Sequence, residues 1–234
     1  MISTHYAERT YEISELEQRN GTTVRQLVGE AAVLLENKGV LPLSGPGKIA
    51  LFVNAARQTV KGGTGSGCAN SRIVVNIEKG LENGGFTIPN KKWSDEYDNH
   101  LKQPKNEYSK ETKIIAEERE IPQPVIEIGI PFYVKSVPLI TEEHIQNSDP
   151  DIAIYVLGRI SGEGGDRFKE KGDYLLMDGE IKNLEFYVLI SKKLFFFLML
   201  EELLIQNHLN QYKELELFYT LVNAVTKLET SFLI

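Results

Sequence analysis

The chain has little cysteine and no long apolar segment. Cys68 is the single cysteine among 234 residues, which excludes an intrachain disulfide and fits a reducing compartment. The most apolar run, Leu194 to Leu200, is too short to cross a bilayer as a helix. The first nine residues also lack the apolar core of a secretory signal. We therefore expect a cytoplasmic protein with no membrane partner.

Clusters of basic residues are absent as well. The chain carries 26 Lys and Arg against 33 Asp and Glu, a net charge of -7. An acidic chain without a basic patch argues against a nucleic-acid surface. Hydrophobic content of 41% and charged content of 25% are ordinary for a globular protein. The length is enough for one domain with a sizeable core.

Two apolar runs, Lys48 to Val53 and Asp151 to Leu157, predict buried strands of a parallel sheet. Helical spacing predicts three helices: one capped by Thr22 or Thr23 and ended by Gly39, one from Ser71 to Gly84, and one over 178–190. Phe86 to Ile88 predicts a short strand, Trp93 to about Glu120 an exposed helix, and Val125 to Val137 an extended segment. His144 is expected on the surface, and Trp93 either packs in the core or stacks on a ligand.

A glycine-rich segment follows each predicted strand. The first is Thr59-Val-Lys-Gly-Gly-Thr-Gly-Ser-Gly-Cys-Ala-Asn-Ser-Arg72, and the second is Arg159-Ile-Ser-Gly-Glu-Gly-Gly-Asp-Arg167. Open α/β sheets bind ligands at this edge, and glycines let the backbone approach a ligand or a neighbouring domain. The first segment lacks the Gly-Lys-Ser/Thr ending of a P-loop and does not fit G-x-G-x-x-G. The second is either a solvated loop or one that presents Glu163 for acid/base chemistry.

Together the two segments resemble glycoside hydrolase family 3, the β-glucosidase-type enzymes. That family carries a Gly-Gly-Thr-Gly-Ser-Gly-Asp-Val-Asn-Ser-Arg loop and then a Ser-Gly-Glu-Gly-x-Asp-Arg loop ending in Gly-Asp-Tyr, here Gly172-Asp173-Tyr174. Cys68 and Ala69 replace the usual Asp and Val. The resemblance covers about residues 20 to 190. It implies a three-layer α/β sandwich with a mostly parallel sheet flanked by helices, whose partner is a TIM-barrel domain.

The resemblance also implies the chemistry. Retaining glycosidases use two carboxyl groups, a nucleophile and an acid/base. In this family the nucleophile is an aspartate of the barrel, so Glu163 is expected to be the acid/base. Contacts with a β-linked glucoside or oligosaccharide are expected from Gly63, Thr64, Gly65, Ser66, Asp166 and Arg167, although Asp166 and Arg167 are equally compatible with a structural ion pair. No cofactor and no metal are implied.

The tail departs from the family. We expect a polar arm over residues 1–22, the sandwich domain over 23–190 and an atypical tail over 191–234. Members continue with a strand such as Leu-Asn-Val-Gly-Gly-Val-Ile-Asp, whereas this chain has Leu198-Met-Leu-Glu-Glu-Leu-Leu-Ile205. A one-base shift of an AT-rich back-translation restores the family segment. We therefore hypothesise a frameshift near residues 192–197 and a sandwich incomplete at its C-terminal end, the alternative being a genuine helical tail.

Three functions follow from these patterns. The first is the acid/base half of a β-glucosidase-like hydrolase, inactive alone because the barrel nucleophile is absent. The second is a non-catalytic carbohydrate-binding or interaction module, for which glycine loops and an exposed glutamate serve equally well. The third is a nucleotide-binding α/β protein, which predicts that a phosphate ligand protects the chain against unfolding.

Overall fold

A computed structural model describes residues 11–31, 33–34, 41–52, 54–59, 74–145, 152–159, 168–190, 194–200 and 216–221. The helices in these ranges are α1 (Glu15–Ala31), α2 (Ile77–Asn83), α3 (Lys91–Arg119), α4 (Gln123–Gly129), α5 (Glu142–Ile145) and α6 (Asp178–Ile190). The strands are β1 (Val33–Leu34), β2 (Ile49–Phe52), β3 (Ile152–Arg159), β4 (Leu194–Leu200) and β5 (Glu216–Leu221). Together they form an α/β domain around one sheet.

The sheet has the strand order β1-β5-β4-β3-β2. Strands β2 to β5 pair in parallel, and β1 pairs antiparallel with β5. Strand β2 lies beside β3 with Phe52 opposite Tyr155. Both strands are almost entirely buried, which is why their sequences are continuous apolar runs rather than alternating ones. The predicted α/β class with a mostly parallel sheet is confirmed.

Alternate residues of β2 and β3 point to opposite faces of the sheet, and a separate core lies on each face. On one face Phe52 and Tyr155 pack with Trp93 of α3 and Tyr187 of α6. On the other face Leu51 and its neighbours pack with residues of α2 and the segment that follows it, among them Leu81, Phe86 and Ile88. Helices therefore cover the part of the sheet next to β2 from both sides.

The outer edge of β2 is closed by a side chain. The buried Asn90 accepts a hydrogen bond from the Leu51 backbone N–H at 2.9 Å and donates one to the Leu51 carbonyl at 2.7 Å. Thr87 forms a single bridge beside Lys48 and bonds the backbone of Ile49. The predicted strand from Phe86 to Ile88 is therefore reduced to a single β-bridge at Thr87. Asn90 takes the place of a sixth strand at this edge.

Helix α1 begins earlier than predicted. Ser14 and Glu17 form a capping box in which the Ser14 hydroxyl accepts from Glu17 N–H at 3.2 Å and the Glu17 carboxylate accepts from Ser14 N–H at 2.8 Å. The predicted caps Thr22 and Thr23 lie inside the helix, where their hydroxyls donate to backbone carbonyls one turn back. The expected arm over 1–22 is thus helical from residue 15. The side chain of Leu27 is exposed.

Helix α2 also differs at its start. Its cap is Asn76, whose side-chain oxygen accepts from the Lys79 N–H at 2.7 Å. Ser71, the predicted cap, lies outside the described residues, and Val74 precedes the helix and is exposed. The end of α2 before Gly84 agrees with the prediction.

The charged region after residue 90 is one long helix with a buried face. Trp93 is 1% exposed and its ring lies 5.2 Å from that of Phe52, which confirms the packing interpretation over sugar stacking. Helix α4 occupies the start of the segment predicted as extended. Pro124 does not prevent this helix, because it falls in the first turn, where proline is tolerated. His144, predicted on the surface, lies at the surface only in part, since the residue is half-buried and its imidazole contacts Glu96 at 2.9 Å.

The described parts of the tail are strands rather than helix. Residues Leu194–Leu200 pair with β3 and residues Glu216–Leu221 pair with β4. An incomplete C-terminal end is not confirmed by this arrangement, and the frameshift stays a prediction. Among the helices of the described ranges, none has the length and apolar character needed to span a membrane.

Candidate functional site

The two glycine-rich segments leave the sheet at the same edge. Strands β2 and β3 are parallel neighbours, so their carboxyl ends point in one direction, although β3 continues beyond Tyr155, the partner of Phe52, to Arg159. All the predicted site residues lie outside the described residues: Gly63, Thr64, Gly65, Ser66, Glu163, Asp166 and Arg167. The described stems of both segments show how the chain enters and leaves them.

The ends of the first segment are tied to each other. The Thr59 hydroxyl accepts a hydrogen bond from the Ile77 N–H at 3.0 Å, and the Asn76 side chain donates to the Arg57 carbonyl at 3.3 Å. Residues 57–59 lie just before the glycines and residues 76–77 just after them. The glycine segment therefore departs from and returns to one point, next to the end of β2.

Arg57 anchors this stem to two helices. Its guanidinium pairs with Glu78 of α2 at 2.5 Å and with Asp95 and Asp98 of α3 at 2.6 and 2.9 Å. Burial lowers the pKa of Arg57, but the hydrogen bonds that its guanidinium donates to the three carboxylates raise the pKa by more, and the net shift is upward. The charge is therefore permanent, and the stem is held by charge-assisted hydrogen bonds.

The ends of the second segment are tied in the same way. Arg159, the last residue of β3, donates from its Nε to the Asp173 carbonyl at 3.2 Å. The Asp173 carboxylate accepts from the Phe168 N–H at 2.8 Å. Arg159 and Phe168, on either side of this segment, thus both bond Asp173, which belongs to the Gly-Asp-Tyr part of the family pattern.

A buried ion pair connects this stem to helix α6. Arg159 is 6% exposed and Glu180 is 1% exposed. The Arg159 Nη2 lies 2.6 Å from the Glu180 Oε2, and the same oxygen accepts from the Met177 N–H at 2.8 Å. The remaining Arg159 nitrogen, Nη1, donates to the Gly158 carbonyl at 3.1 Å. The guanidinium therefore serves acceptors on β3, on the returning stem and on α6.

Two tyrosines lie near this pair. Burial raises the pKa of Tyr97 and of Tyr155, and the negative charge of Glu180 raises both further. Both hydroxyls therefore stay protonated at neutral pH. The ion pair and the tyrosines lie in surroundings of low polarity, where electrostatic interactions are stronger than in water.

Sequence reasoning did not find Arg57, Arg159, Glu180 or Asn76. Arg57 and Glu180 are separated in sequence from their partners by about twenty residues or more, so nothing local marks them as paired. Asn76 had a signal, since it directly precedes the apolar residues of α2 and asparagine is a favoured cap. In the described ranges no group of three or more His, Cys, Asp or Glu side chains is arranged to hold a metal ion.

Comparisons with known proteins identify the family of the chain. The model of the glycosyl hydrolase family 3 C-terminal domain matches residues 32–187. A β-glucosidase of Ruminococcus albus is 30% identical over 155 residues, which cover 64% of this chain and 14% of that enzyme. The chain therefore spans a small part of the length of this curated relative.

Solved structures give the same assignment. β-Glucosidase 3B of Thermotoga neapolitana, solved with α-D-glucose, superposes with a TM-score of 0.56 at 28% identity, covering 77% of this chain and 24% of the enzyme. A β-glucosidase of Paenibacillus barengoltzii shares the fold with a TM-score of 0.64 at 22% identity, covering 87% of this chain and 21% of that enzyme. Since the family model also matches most of the chain, this protein belongs to glycosyl hydrolase family 3 through its C-terminal-type domain.

Proposed function

We propose that this chain is the acid/base-bearing domain of a retaining β-glucosidase-like hydrolase, with Glu163 as the acid/base. The observation that supports the proposal is the parallel pairing of β2 with β3, which directs the chain toward the same edge of the sheet before both the glycine segment and the Glu163 segment. Residues 57–59 and 168–173 then tie each segment to the core. A glutamate carried on such a loop can face a substrate held between this domain and a second one.

The proposed reaction has two steps. A barrel aspartate attacks the anomeric carbon of a β-linked glucoside while Glu163 gives its proton to the leaving oxygen. Glu163 then removes a proton from water, which attacks the glycosyl-enzyme and releases the sugar. Gly63, Thr64, Gly65 and Ser66 would contact the sugar with Asp166 and Arg167. No cofactor and no metal enter either step.

The partner in this proposal is a TIM-barrel domain, which supplies the nucleophile. Without it, one carboxyl group cannot form the glycosyl-enzyme, so the purified chain is expected not to hydrolyse β-glucosides. The related enzymes support the substrate class, since they are β-glucosidases and one was solved with glucose. We propose a cytoplasmic location, and a complete three-layer sandwich when the enzyme is whole.

The test is reconstitution. The chain is mixed with a separately purified TIM-barrel domain of a family 3 β-glucosidase, and release of p-nitrophenol from p-nitrophenyl β-glucoside is measured against the barrel domain alone. Glu163→Gln is expected to lower kcat by about 10²–10⁴, while Glu170→Gln, an exposed glutamate seven residues further on, leaves it unchanged.

Azide distinguishes an acid/base from a residue that only supports the fold. Azide attacks the glycosyl-enzyme without needing a base, so it should restore turnover of Glu163→Gln and give β-glucosyl azide. Wild-type turnover should not rise. Wild-type activity in Glu163→Gln would refute the assignment. Glucose binding by the chain alone, unaffected by the barrel, would favour the non-catalytic carbohydrate-binding module instead.

A further inference from the structure

The buried Arg159–Glu180 pair contacts the returning stem of the second segment, residues 168–173, through the Asp173 carbonyl. We propose that Arg159 and Glu180 are positioning residues, which hold that stem so that Glu163 reaches the scissile bond. The inference rests on the proposed function for the role of Glu163. Its structural part, control of the stem by the pair, stands on the described residues.

The geometry of the guanidinium supports a positioning role. Nε binds the returning stem through the Asp173 carbonyl at 3.2 Å, Nη1 binds the Gly158 carbonyl at 3.1 Å, and Nη2 binds Glu180 at 2.6 Å. A planar fork serves three acceptors in fixed directions, which the single ammonium of lysine does not reproduce. The guanidinium therefore fixes the distance between the end of β3 and the returning stem at Asp173.

Glu180 fixes the orientation of that fork. Its Oε2 accepts from Arg159 and from the Met177 N–H at 2.8 Å, at the beginning of α6. Helix α6 packs on the sheet through Leu184 and Tyr187, so it provides a rigid reference. The position of the stem is thereby fixed relative to the core of the domain.

Stability alone does not account for such a pair. Removing two charges from water costs as much as their attraction returns, and neutral replacements of a buried pair are often harmless or stabilising. An exposed ion pair close by, Lys171 with Asp178 at 2.7 Å, links the same two segments but with side chains 60% and 67% exposed. The Lys171–Asp178 pair is therefore a matched control, because it attracts the returning stem to α6 without being buried.

The decisive variant is Arg159→Met with Glu180→Gln. It leaves no uncompensated charge and keeps an oxygen for the Met177 N–H. Urea unfolding should give a folding equilibrium constant lower than wild type by about 10- to 100-fold, because the Asp173 and Gly158 carbonyls lose a donor while no buried charge is left unpaired. Hydrogen exchange of the amides in residues 168–175, which the structure shows hydrogen-bonded, should be about tenfold faster when followed by mass spectrometry on the chain alone, the equivalent of one lost hydrogen bond. Lys171→Met with Asp178→Asn should change neither quantity.

A second variant keeps the test decisive if the first does not fold. Arg159→Lys preserves the charge opposite Glu180 but loses the fork, so it should fold and show the same faster exchange. Wild-type exchange in a folded variant of either kind would overturn the inference. In the reconstituted enzyme kcat should fall at least about tenfold at unchanged KM. If Glu163→Gln proves silent there, the proposed function fails while the exchange result still decides the role of the pair.

Discussion

Replacing Asn90 by alanine should destabilise the protein through the edge of the sheet. Asn90 is 2% exposed and its amide makes both hydrogen bonds to the backbone of Leu51, at 2.9 and 2.7 Å. It also sits at the N-cap position of α3, yet its side chain makes no capping hydrogen bond there. The loss therefore falls on strand β2 and not on the helix.

The size of the effect follows from what is left unpaired. The substitution strands one buried N–H and one buried C=O, and each costs about 1–3 kcal/mol. The sum is about 2–6 kcal/mol, with the lower end applying if water enters the space left by the amide. A protein of this kind has about 5–15 kcal/mol of stability in total, so the variant should lose a large fraction of it.

Urea unfolding followed by Trp93 fluorescence measures the change. With an m-value of about 2 kcal/mol per molar, a loss of about 3 kcal/mol moves the midpoint by about 1.5 M. Asn99→Ala is the surface control, because Asn99 lies on the same helix and is exposed. It should stay within about 0.5 kcal/mol of wild type.

Asn90→Asp separates the two roles of this position. Aspartate is among the best N-cap residues, so it would be neutral or stabilising if capping mattered here. At the strand edge it replaces the donor to the Leu51 carbonyl with an oxygen and buries a charge, so it should destabilise at least as much as alanine. Wild-type stability of Asn90→Asp would refute the edge argument.

Two further predictions concern the charges around the first stem. Arg57→Ala leaves the carboxylates of Glu78, Asp95 and Asp98 facing one another, and because these groups are only partly buried the free energy of unfolding should fall by about 1–3 kcal/mol. The loss should shrink in acid as the carboxylates protonate, so an equal loss at pH 3 would contradict the reasoning. Asp95→Asn, which changes the most exposed partner, is the mild control. The hydrogen bond from Lys91 lowers the pKa of Glu82 despite the opposing effect of burial. Because the folded pKa is lowered, the contribution of this pair is present above the unfolded value of about 4.3 and is lost as pH falls through the folded one. Glu82→Gln should therefore flatten that part of the stability–pH curve, and an unchanged curve would argue against the pair.

Elements that bury their own apolar residues were predictable from the sequence. Strands β2 and β3 are continuous apolar runs, and α6 spans Asp178–Ile190 as its pattern indicates. The start of α1 was readable too, since Ser14 and Glu17 have capping-box spacing. The α/β class and the family followed from such local signals and from the order of the two glycine-rich motifs.

Interactions between distant segments were decided by the tertiary structure. Asn90 closes a strand 39 residues away, and Arg57 joins α3 across 38 and 41 residues. Charged and amide side chains look alike in sequence whether they lie in solvent or in the core. Their partners depend on which helices pack against which strand, and that follows from burial of the whole chain. The sequence alone thus indicated the family, the central strands β2 and β3 and the residue proposed for catalysis. The fold added β1, β4 and β5 to the sheet and decided which residues hold the stems.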